Sequence, residues 1–150
     1  MLKVFMGGTC NGSKWRELFK GIKGIEWFDP VVPDWNEEAQ ENELRHRATD
    51  DVLLYVITPK MTGVYSIAEV VDDSNKQPGR VVFSYTDIDE DSVFDNHSLK
   101  SLKAVAGMIQ KNGATYIPFN ELESWFKSKV GDASGMKAFL NAADTASGIR

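Results

Sequence analysis

The sequence contains few of the residues that build disulfide bonds and metal sites. Among its 150 residues are one cysteine, Cys10, and two histidines. A single cysteine cannot form an internal disulfide, and these three residues lack the close spacing of zinc ligands. We therefore expect a fold that depends on neither a disulfide nor a metal, and a site without a cofactor. We interpret Cys10 as a structural residue.

Long apolar runs and an excess of basic residues are also missing. No run approaches the roughly 20 apolar residues of a membrane span. The opening MLKVFMGG is too short for a secretory signal, so we expect a cytoplasmic protein with no membrane partner. The net charge is −5, from 17 Lys and Arg against 22 Asp and Glu. This balance argues against nucleic-acid binding, which depends on cationic side chains that neutralise phosphates.

The composition that remains is typical of a globular protein. Hydrophobic residues make up 42% of the chain and charged residues 26%. A chain of this length can bury a sizeable core, and no linker or internal repeat divides it. We therefore expect a single domain over residues 1–150.

Strand-like and helix-like segments alternate along the chain. Strands are predicted at LKVFM, IEWF, DVLLYVIT, VVFSY and ATYIPF. Helices are predicted at SKWRELFKGI, NEEAQENELRHRATD, residues 63–75, SLKSLKAVAGMIQKNG and NELESWFKSKVG. This order predicts an α/β fold of Rossmann or flavodoxin-like type, with a five-stranded, mostly parallel sheet between helices. DVLLYVI is nearly all apolar, so we expect it to be the central strand.

Three other features complete the predicted fold. Ser13 is placed to cap the first helix. The acid-rich run TDIDEDSVFD, between the fourth strand and its helix, is predicted to be a mobile loop. A short helical tail is predicted from Ser134 to about residue 143.

Ligands of open parallel sheets bind at the carboxyl ends of the strands. Three segments should meet there: GGTCNG, DPVVPDW and TPKMTGVYSIAE. Glycines in the first segment let main-chain N–H groups approach a ligand, and a following helix N-terminus favours an anion. GGTCNG nevertheless lacks the third glycine of a dinucleotide fingerprint and the ending of a phosphate-binding loop.

The helix predicted after Gly63 has two unlike sides. An apolar stripe with spacings of three and four should pack on the sheet: Val64, Ile67, Ala68 and Val71. Tyr65, Glu69 and Asp72 follow one another on the other side. This polar stripe is either a solvated surface or part of a site, and we assign Asp72 to the solvated surface.

The runs VFMGGTCNGSKWR, WFDPVVPDW and DDVLLYVITPKMTGVYSIAEVVD together resemble the nucleoside 2-deoxyribosyltransferase-like superfamily, especially its small single-domain branch with an N-terminal GGT loop. The resemblance covers about residues 2–86. It implies cleavage or exchange of the N-glycosidic bond of a nucleoside or nucleotide through a covalent glycosyl intermediate. The family's nucleophilic glutamate corresponds to Glu69, which the helix N-terminus should favour in its ionised form. Tyr65, one turn earlier, is placed to orient that carboxylate.

The sequence departs from the family at one position. Classical members carry an aspartate six residues before the nucleophile, where this chain has Gly63. The proton for the leaving base must then come from another acid. Asp29 is our first candidate, and Asp34 and Glu43 stay open.

The resemblance and the three loops together suggest which residues bind substrate. They are Gly7, Gly8, Thr9, Asn11, Arg16, Asp34, Trp35, Gly63 and Ser66. Arg16, with Lys14 beside it, is placed to bind a phosphate, which predicts tighter binding of a 5′-monophosphate than of its nucleoside. Trp35 has two interpretations: it stacks on a base, or it anchors its loop.

Two functional classes stay open. One is an enzyme that transfers or hydrolyses the glycosyl group. The other is a binding or sensing module on the same fold, for which the missing aspartate is the main argument. The sequence predicts a small-molecule partner and leaves a homo-oligomer open.

Overall fold

A computed structural model of the chain describes residues 1–10 and 12–131. The described residues form strands β1 (Leu2–Gly8), β2 (Ile25–Phe28), β3 (Val52–Ile57), β4 (Val81–Tyr85), β5 (Ile88–Asp89), β6 (Ser92–Val93) and β7 (Thr115–Tyr116). The helices are α1 (Glu37–Thr49), α2 (Tyr65–Lys76), α3 (Asn96–Lys111) and α4 (residues 122–131). Asn11 and the predicted tail helix lie outside the described residues.

The main sheet has five parallel strands in the order β2-β1-β3-β4-β7. This confirms the predicted α/β class and the central position of β3. β1 and β4 flank β3, with Gly8 opposite Val56 and Leu53 opposite Val81. The chain reverses its direction of strand addition between β1 and β3, which is where ligands bind in this strand order.

The core lies on both faces of the sheet. Residues of β3 alternate between the faces and are almost all fully buried. Leu54 and Val56 pack with Trp15, Phe19 and Phe126 on one face. Leu53, Tyr55 and Ile57 pack with buried residues of α2 and α3 on the other. Burial on both faces explains why the run is apolar without a period of two. Within the described residues, no helix is long and apolar enough to cross a membrane.

The predicted first helix is wrong in extent. Only Trp15–Leu18 is helical, as a 3₁₀ turn, and Lys14 rather than Ser13 precedes it without a side-chain cap. The Trp15 indole N–H donates to the Thr9 carbonyl at 2.8 Å, and the Arg16 guanidinium also bonds to that oxygen. These side chains hold the segment against the preceding loop, and Leu18 is left largely exposed.

The apolar stripe of α2 also differs from the prediction. Ile67 and Val71 of the predicted stripe pack against the core, whereas Val64 and Ala68 are exposed. The fully buried residues are Val70, Asp73 and Ser74, and Asp73 accepts a hydrogen bond from the buried Tyr55 hydroxyl.

Helix α1 contrasts with α2 and α3 because none of its residues is buried. The Asn36 side chain caps its N-terminus by accepting from the Ala39 N–H at 2.8 Å. At the other end the Arg80 guanidinium donates to the carbonyl oxygens of Arg47 and Asp50. The His46 ring stacks on the Phe28 ring of β2, with the ring centroids 3.6 Å apart. Polar contacts and one ring stack thus hold α1 in place.

The acid-rich run after β4 forms the short antiparallel hairpin β5–β6 rather than the loop that we expected. Asp89 attaches it to the rest of the molecule. One oxygen of its carboxylate accepts from the Ser13 hydroxyl and the Thr58 hydroxyl, both at 2.5 Å. The hairpin is therefore tied to the loops that follow β1 and β3.

Replacing Asp89 by alanine should lower the free energy of unfolding by about 1–3 kcal/mol, because the Ser13 and buried Thr58 hydroxyls lose their acceptor. Urea unfolding measures this difference. Asp91→Ala, at the exposed tip of the same hairpin, is the control and should change stability little. Equal effects of the two substitutions would show that Asp89 has no special role.

Candidate active site

A crevice opens at the carboxyl ends of β1 and β3, where the order of strands reverses. Its volume is about 250 Å³. Residues of β1, of the loop after β2, of α1 and of α2 line it. They are Phe5, Gly7, Gly8, Cys10, Arg16, Pro30, Val31, Val32, Trp35, Glu43, Ser66 and Glu69.

The structure gathers part of the predicted site in this crevice. Six predicted residues line it: Gly7, Gly8, Arg16, Trp35, Ser66 and Glu69. Glu43, an alternative candidate for the acid, also lines it. Five others are not among its lining residues: Thr9, Asp29, Asp34, Gly63 and Tyr65.

Gly7 and Gly8 are required by the packing of β1 on β3. A Cβ on Gly8 would lie 2.0 Å from the Val56 carbonyl oxygen, and Gly8 has a φ of +117°. A Cβ on Gly7 would lie 2.6 Å from the Tyr55 ring. Their absent side chains therefore bring the two strands together, and the same absence leaves the floor of the crevice open.

Arg16 is buried and most of its donors are already used. Its guanidinium donates to the main-chain carbonyl oxygens of Met6 at 3.1 Å, Thr9 at 2.8 Å and Gly8 at 3.3 Å. Asp29 lies 3.5 Å from its Nε. Burial lowers the pKa of Arg16, against the charges of Asp29 and Cys10. The side chain thus organises the loop after β1.

The loop after β1 therefore offers fewer groups to bind a phosphate than the sequence suggested. The 3₁₀ turn Trp15–Leu18 is too short to supply a helix dipole. Lys14 lines a different cavity, beside Asp89 and Glu90. Thr9 is buried as well, and its hydroxyl accepts from the Thr58 N–H at 2.9 Å. The loop is therefore satisfied by its own contacts.

Asp29, our first candidate for the acid, is held outside the crevice. Its carboxylate pairs with Lys20 at 2.9 Å and with Arg16, and accepts from the Val31 N–H at 3.0 Å. Through these contacts Asp29 fixes the loop after β2, which is a structural role. Asp34 is exposed in the same loop.

Tyr65 and Gly63 also face away from the crevice. Tyr65 is 74% exposed, although it lies one turn before Glu69. Gly63 is exposed, and a Cβ there would meet nothing within 4 Å. Arg47 occupies the position that we expected for Tyr65, against the Glu69 carboxylate.

Glu69 lies in the wall of the crevice with two partners from α1. Its side chain is 11% exposed, and its Oε2 lies 3.0 Å from Nη1 of Arg47. Glu43 of α1 also lines the crevice and raises the pKa of Glu69. The crevice therefore holds two neighbouring carboxyl groups, one from each helix.

The surroundings shift Glu69 away from the ionised form that we expected. Burial raises its pKa to about 7, with further increases from Glu43 and Asp73 and an opposing effect from Arg47. Glu69 lies in the second turn of α2, where the helix dipole has weakened. Desolvation therefore outweighs the pull of the helix N-terminus.

Four residues beside Glu69 form a network that the sequence did not reveal. Asp73 accepts from Arg47 Nη2 at 3.1 Å, from Gln77 Nε2 at 3.1 Å and from the Tyr55 hydroxyl at 2.5 Å. Burial raises the pKa of Tyr55, so this phenol stays a donor. Burial alone would lower the pKa of Arg47. The hydrogen bond with Asp73 and the nearby acidic groups outweigh burial, so the pKa of Arg47 is raised.

This network fixes Arg47 in place beside Glu69. Asp73 is 3% exposed and Tyr55 fully buried, so the Tyr55 hydroxyl depends on Asp73 for its hydrogen bond. One sequence signal was available: Asp73 follows Glu69 by four residues, which puts both on one side of α2. Tyr55, in an apolar strand, gave no such signal.

The raised pKa of Glu69 has a consequence for stability. The folded value near 7 exceeds the ordinary value of 4.5, so the folded protein binds the extra proton between these pH values. The free energy of unfolding should therefore fall as pH rises from 4.5 through 7, by about 1–3 kcal/mol. The Glu69→Gln variant has no ionisable group at this position, so its free energy of unfolding should not show this fall. The stability of the variant relative to the wild type should therefore be higher at pH 8 than at pH 5.

Chemical denaturation at the two pH values measures that difference. Glu41→Gln replaces an exposed carboxyl on α1 and serves as the control. A Glu69→Gln difference that does not change with pH would show that the Glu69 carboxyl ionises normally.

Comparison with known proteins adds no family assignment: the sequence matches no protein-family model, and no curated protein is detectably similar to it. Across the described part of the chain, no group of three or more His, Cys, Asp or Glu side chains is arranged to hold a metal ion.

Proposed function

We propose that the protein cleaves or exchanges the N-glycosidic bond of a nucleoside, with Glu69 as the nucleophile. The observation that carries this proposal is the pair of carboxyl groups, Glu69 and Glu43, that line one crevice at the strand reversal where parallel sheets bind ligands. The proposed chemistry is the one that the resemblance to nucleoside 2-deoxyribosyltransferase-like proteins implied. The pair supplies an acid from α1 in place of the aspartate that Gly63 replaces.

The two carboxyl groups divide the roles that retaining glycosyl transfer needs. Glu69 in its ionised form attacks the anomeric carbon, and Glu43 protonates the departing base. Water or a second base then attacks the glycosyl-Glu69 ester and gives a proton back to Glu43. The sugar binds between the two groups, which retaining enzymes hold about 5 Å apart.

Arg47 has a defined part in this mechanism. It holds Oε2 of Glu69 at 3.0 Å, which leaves Oε1 for the sugar. It also stabilises the carboxylate form that burial disfavours. The hydrogen bonds to Asp73 hold the Arg47 guanidinium in place. The Glu69 carboxylate is therefore already oriented before the substrate binds.

The charges of the crevice favour a neutral nucleoside over its 5′-monophosphate. Among the described lining residues, Glu43 and Glu69 are acids, and Arg16 already donates to three carbonyl groups. A volume of about 250 Å³ suits the sugar. Trp35 is 61% exposed at the edge and is placed to stack on the base.

A binding module without turnover is the second candidate function. The observation that favours it is Gly63: where the related aspartate is expected, the structure has an exposed glycine. In this alternative the carboxyl pair hydrogen-bonds the hydroxyl groups of a bound sugar and forms no covalent bond.

Incubation with ribo- and deoxyribonucleosides and their 5′-monophosphates, with and without a free acceptor base, separates the two functions. Chromatography should show release or exchange of a base for at least one nucleoside. Saturable binding of a nucleoside without a change in its chromatogram would support the module instead. If no compound in the panel bound or reacted, the proposal of nucleoside chemistry would be wrong.

A further inference from the structure

A second cavity lies apart from the crevice that contains Glu69. It has a volume of about 720 Å³ and lies at the carboxyl ends of β4 and β7, beside the first turns of α3. This size is within the range of small-molecule sites in proteins. None of the residues assigned to the proposed function lines it.

One wall of this cavity is aromatic. The rings of Tyr85 and Tyr116 stack with centroids 5.6 Å apart and an angle of 19° between their planes. Burial, with a further contribution from the neighbouring Tyr85, raises the pKa of Tyr116 to about 12, so its hydroxyl group stays neutral near pH 7. Leu99 and Phe119 extend the apolar surface. A flat ring is the ligand group that such a wall accommodates best.

Another part of the lining carries positive charge. Lys100 and Lys103 lie one turn apart on α3 and both line the cavity. Neither has a carboxylate partner within residues 1–10 and 12–131. Two like charges at this spacing repel each other, and a bound anion relieves that repulsion. Asp87 is the single acid among the lining residues, which leaves the cavity with an excess of one positive charge.

We propose that this cavity is a second binding site, for a small anion that carries a flat aromatic ring. The ring lies against the tyrosine wall, and the anionic group lies between Lys100 and Lys103. Asn96 and Asn120, at the two ends of the cavity, supply amide groups for the polar edge of the ring. The cavity has room for a mononucleotide or for a smaller aromatic carboxylate.

The site is independent of the carboxyl pair at Glu69. The crevice is lined by β1, α1 and α2, whereas the cavity is lined by β4, α3 and the segment after β7. Substitutions in one should therefore leave binding in the other unchanged, and the failure of one proposal does not affect the other.

Titration calorimetry of the full chain with chosen probes tests the proposal. The probes are the four common nucleoside 5′-monophosphates, 4-hydroxybenzoate, its neutral analogue 4-hydroxybenzamide and inorganic phosphate. We expect at least one aromatic anion to bind at least tenfold more tightly than 4-hydroxybenzamide and than phosphate. Raising NaCl from about 50 to about 300 mM should weaken this binding, since salt screens the lysine charges. Binding of a nucleotide would identify phosphate as the anionic group of the ligand, and binding of 4-hydroxybenzoate would identify a carboxylate.

Variants locate the bound anion. The double substitution Lys100→Gln and Lys103→Gln should weaken binding at least tenfold. Lys111→Gln, on the last turn of α3 and outside the cavity, and Glu69→Gln should leave it unchanged. All four lysine and glutamate changes lie on helices, so circular dichroism confirms the fold. The proposal is overturned if no aromatic anion binds, if the double variant binds as the wild type does, or if Lys111→Gln weakens binding equally.

Discussion

Glu69→Gln should reduce turnover of a confirmed nucleoside substrate by at least about a thousandfold while the protein stays folded and still binds the nucleoside. Glutamine keeps the shape of the side chain but cannot form a glycosyl ester. Stopped-time chromatography of base release measures the loss. The substitution also replaces a carboxyl that burial keeps partly protonated, so it should not destabilise the fold at neutral pH.

Asp72→Asn is the matched control for this prediction. Asp72 lies three residues further along α2, is exposed, and pairs with Lys76 at 2.9 Å, as expected for the solvated surface of the helix. Turnover should stay within about twofold of the wild type. Trapping with a 2-fluoro nucleoside should add the sugar mass to the peptide that contains Glu69. A sugar attached to Glu43 instead would reverse the assigned roles of the two carboxyls.

Arg47→Met should lower the free energy of unfolding by about 3–5 kcal/mol, because it leaves the buried Asp73 carboxylate without its cationic partner. Arg47 is 15% exposed and pairs with both Asp73 and Glu69. Methionine keeps most of the volume of the side chain, so the loss reflects charge and hydrogen bonding rather than a cavity. Urea denaturation at pH 7 measures it.

Arg45→Met is the control because Arg45 is exposed on the same helix. Its effect should stay within about 0.5 kcal/mol, as for most surface substitutions. Adding Asp73→Asn to Arg47→Met should recover part of the stability, since the unpaired charge is then removed. Additive losses in the double variant would show that Arg47 and Asp73 do not stabilise each other.

Most of the fold could be predicted from local patterns. The apolar run that forms β3 is long enough to require burial on both faces, and this placed it at the centre of the sheet. The end of α3 was equally clear, since Gly113 adopts a φ of +98° just after the helix. The prediction of the first helix was wrong in extent. The apolar spacing from Trp15 to Ile22 fits a helix, but hydrogen bonds from the Trp15 and Arg16 side chains to the preceding loop determine the actual conformation.

The site could be predicted only in part, for a related reason. Glu69 was placed by the family resemblance, and Gly7 and Gly8, which form the end of β1, by their position beside a predicted strand. Arg47 and Tyr55 acquire their roles through Asp73, and both contacts join separate elements of the fold. Such contacts depend on how α1 and α2 lie on the sheet. The apolar pattern of α2 alone predicted neither the burial of Asp73 nor the outward position of Tyr65.

The crevice is complete only while α1 is folded against the sheet, and mainly polar contacts hold α1 there. This helix supplies Glu43 and Arg47 but buries none of its own residues, so little apolar surface opposes its release from the sheet. Local unfolding of α1 would separate the two carboxyl groups and leave the β3 core intact. The free energy of that partial opening, rather than the global stability, sets the fraction of molecules with an assembled carboxyl pair. A ligand that bridges α1 and α2 therefore favours the folded form of α1 in addition to occupying the crevice.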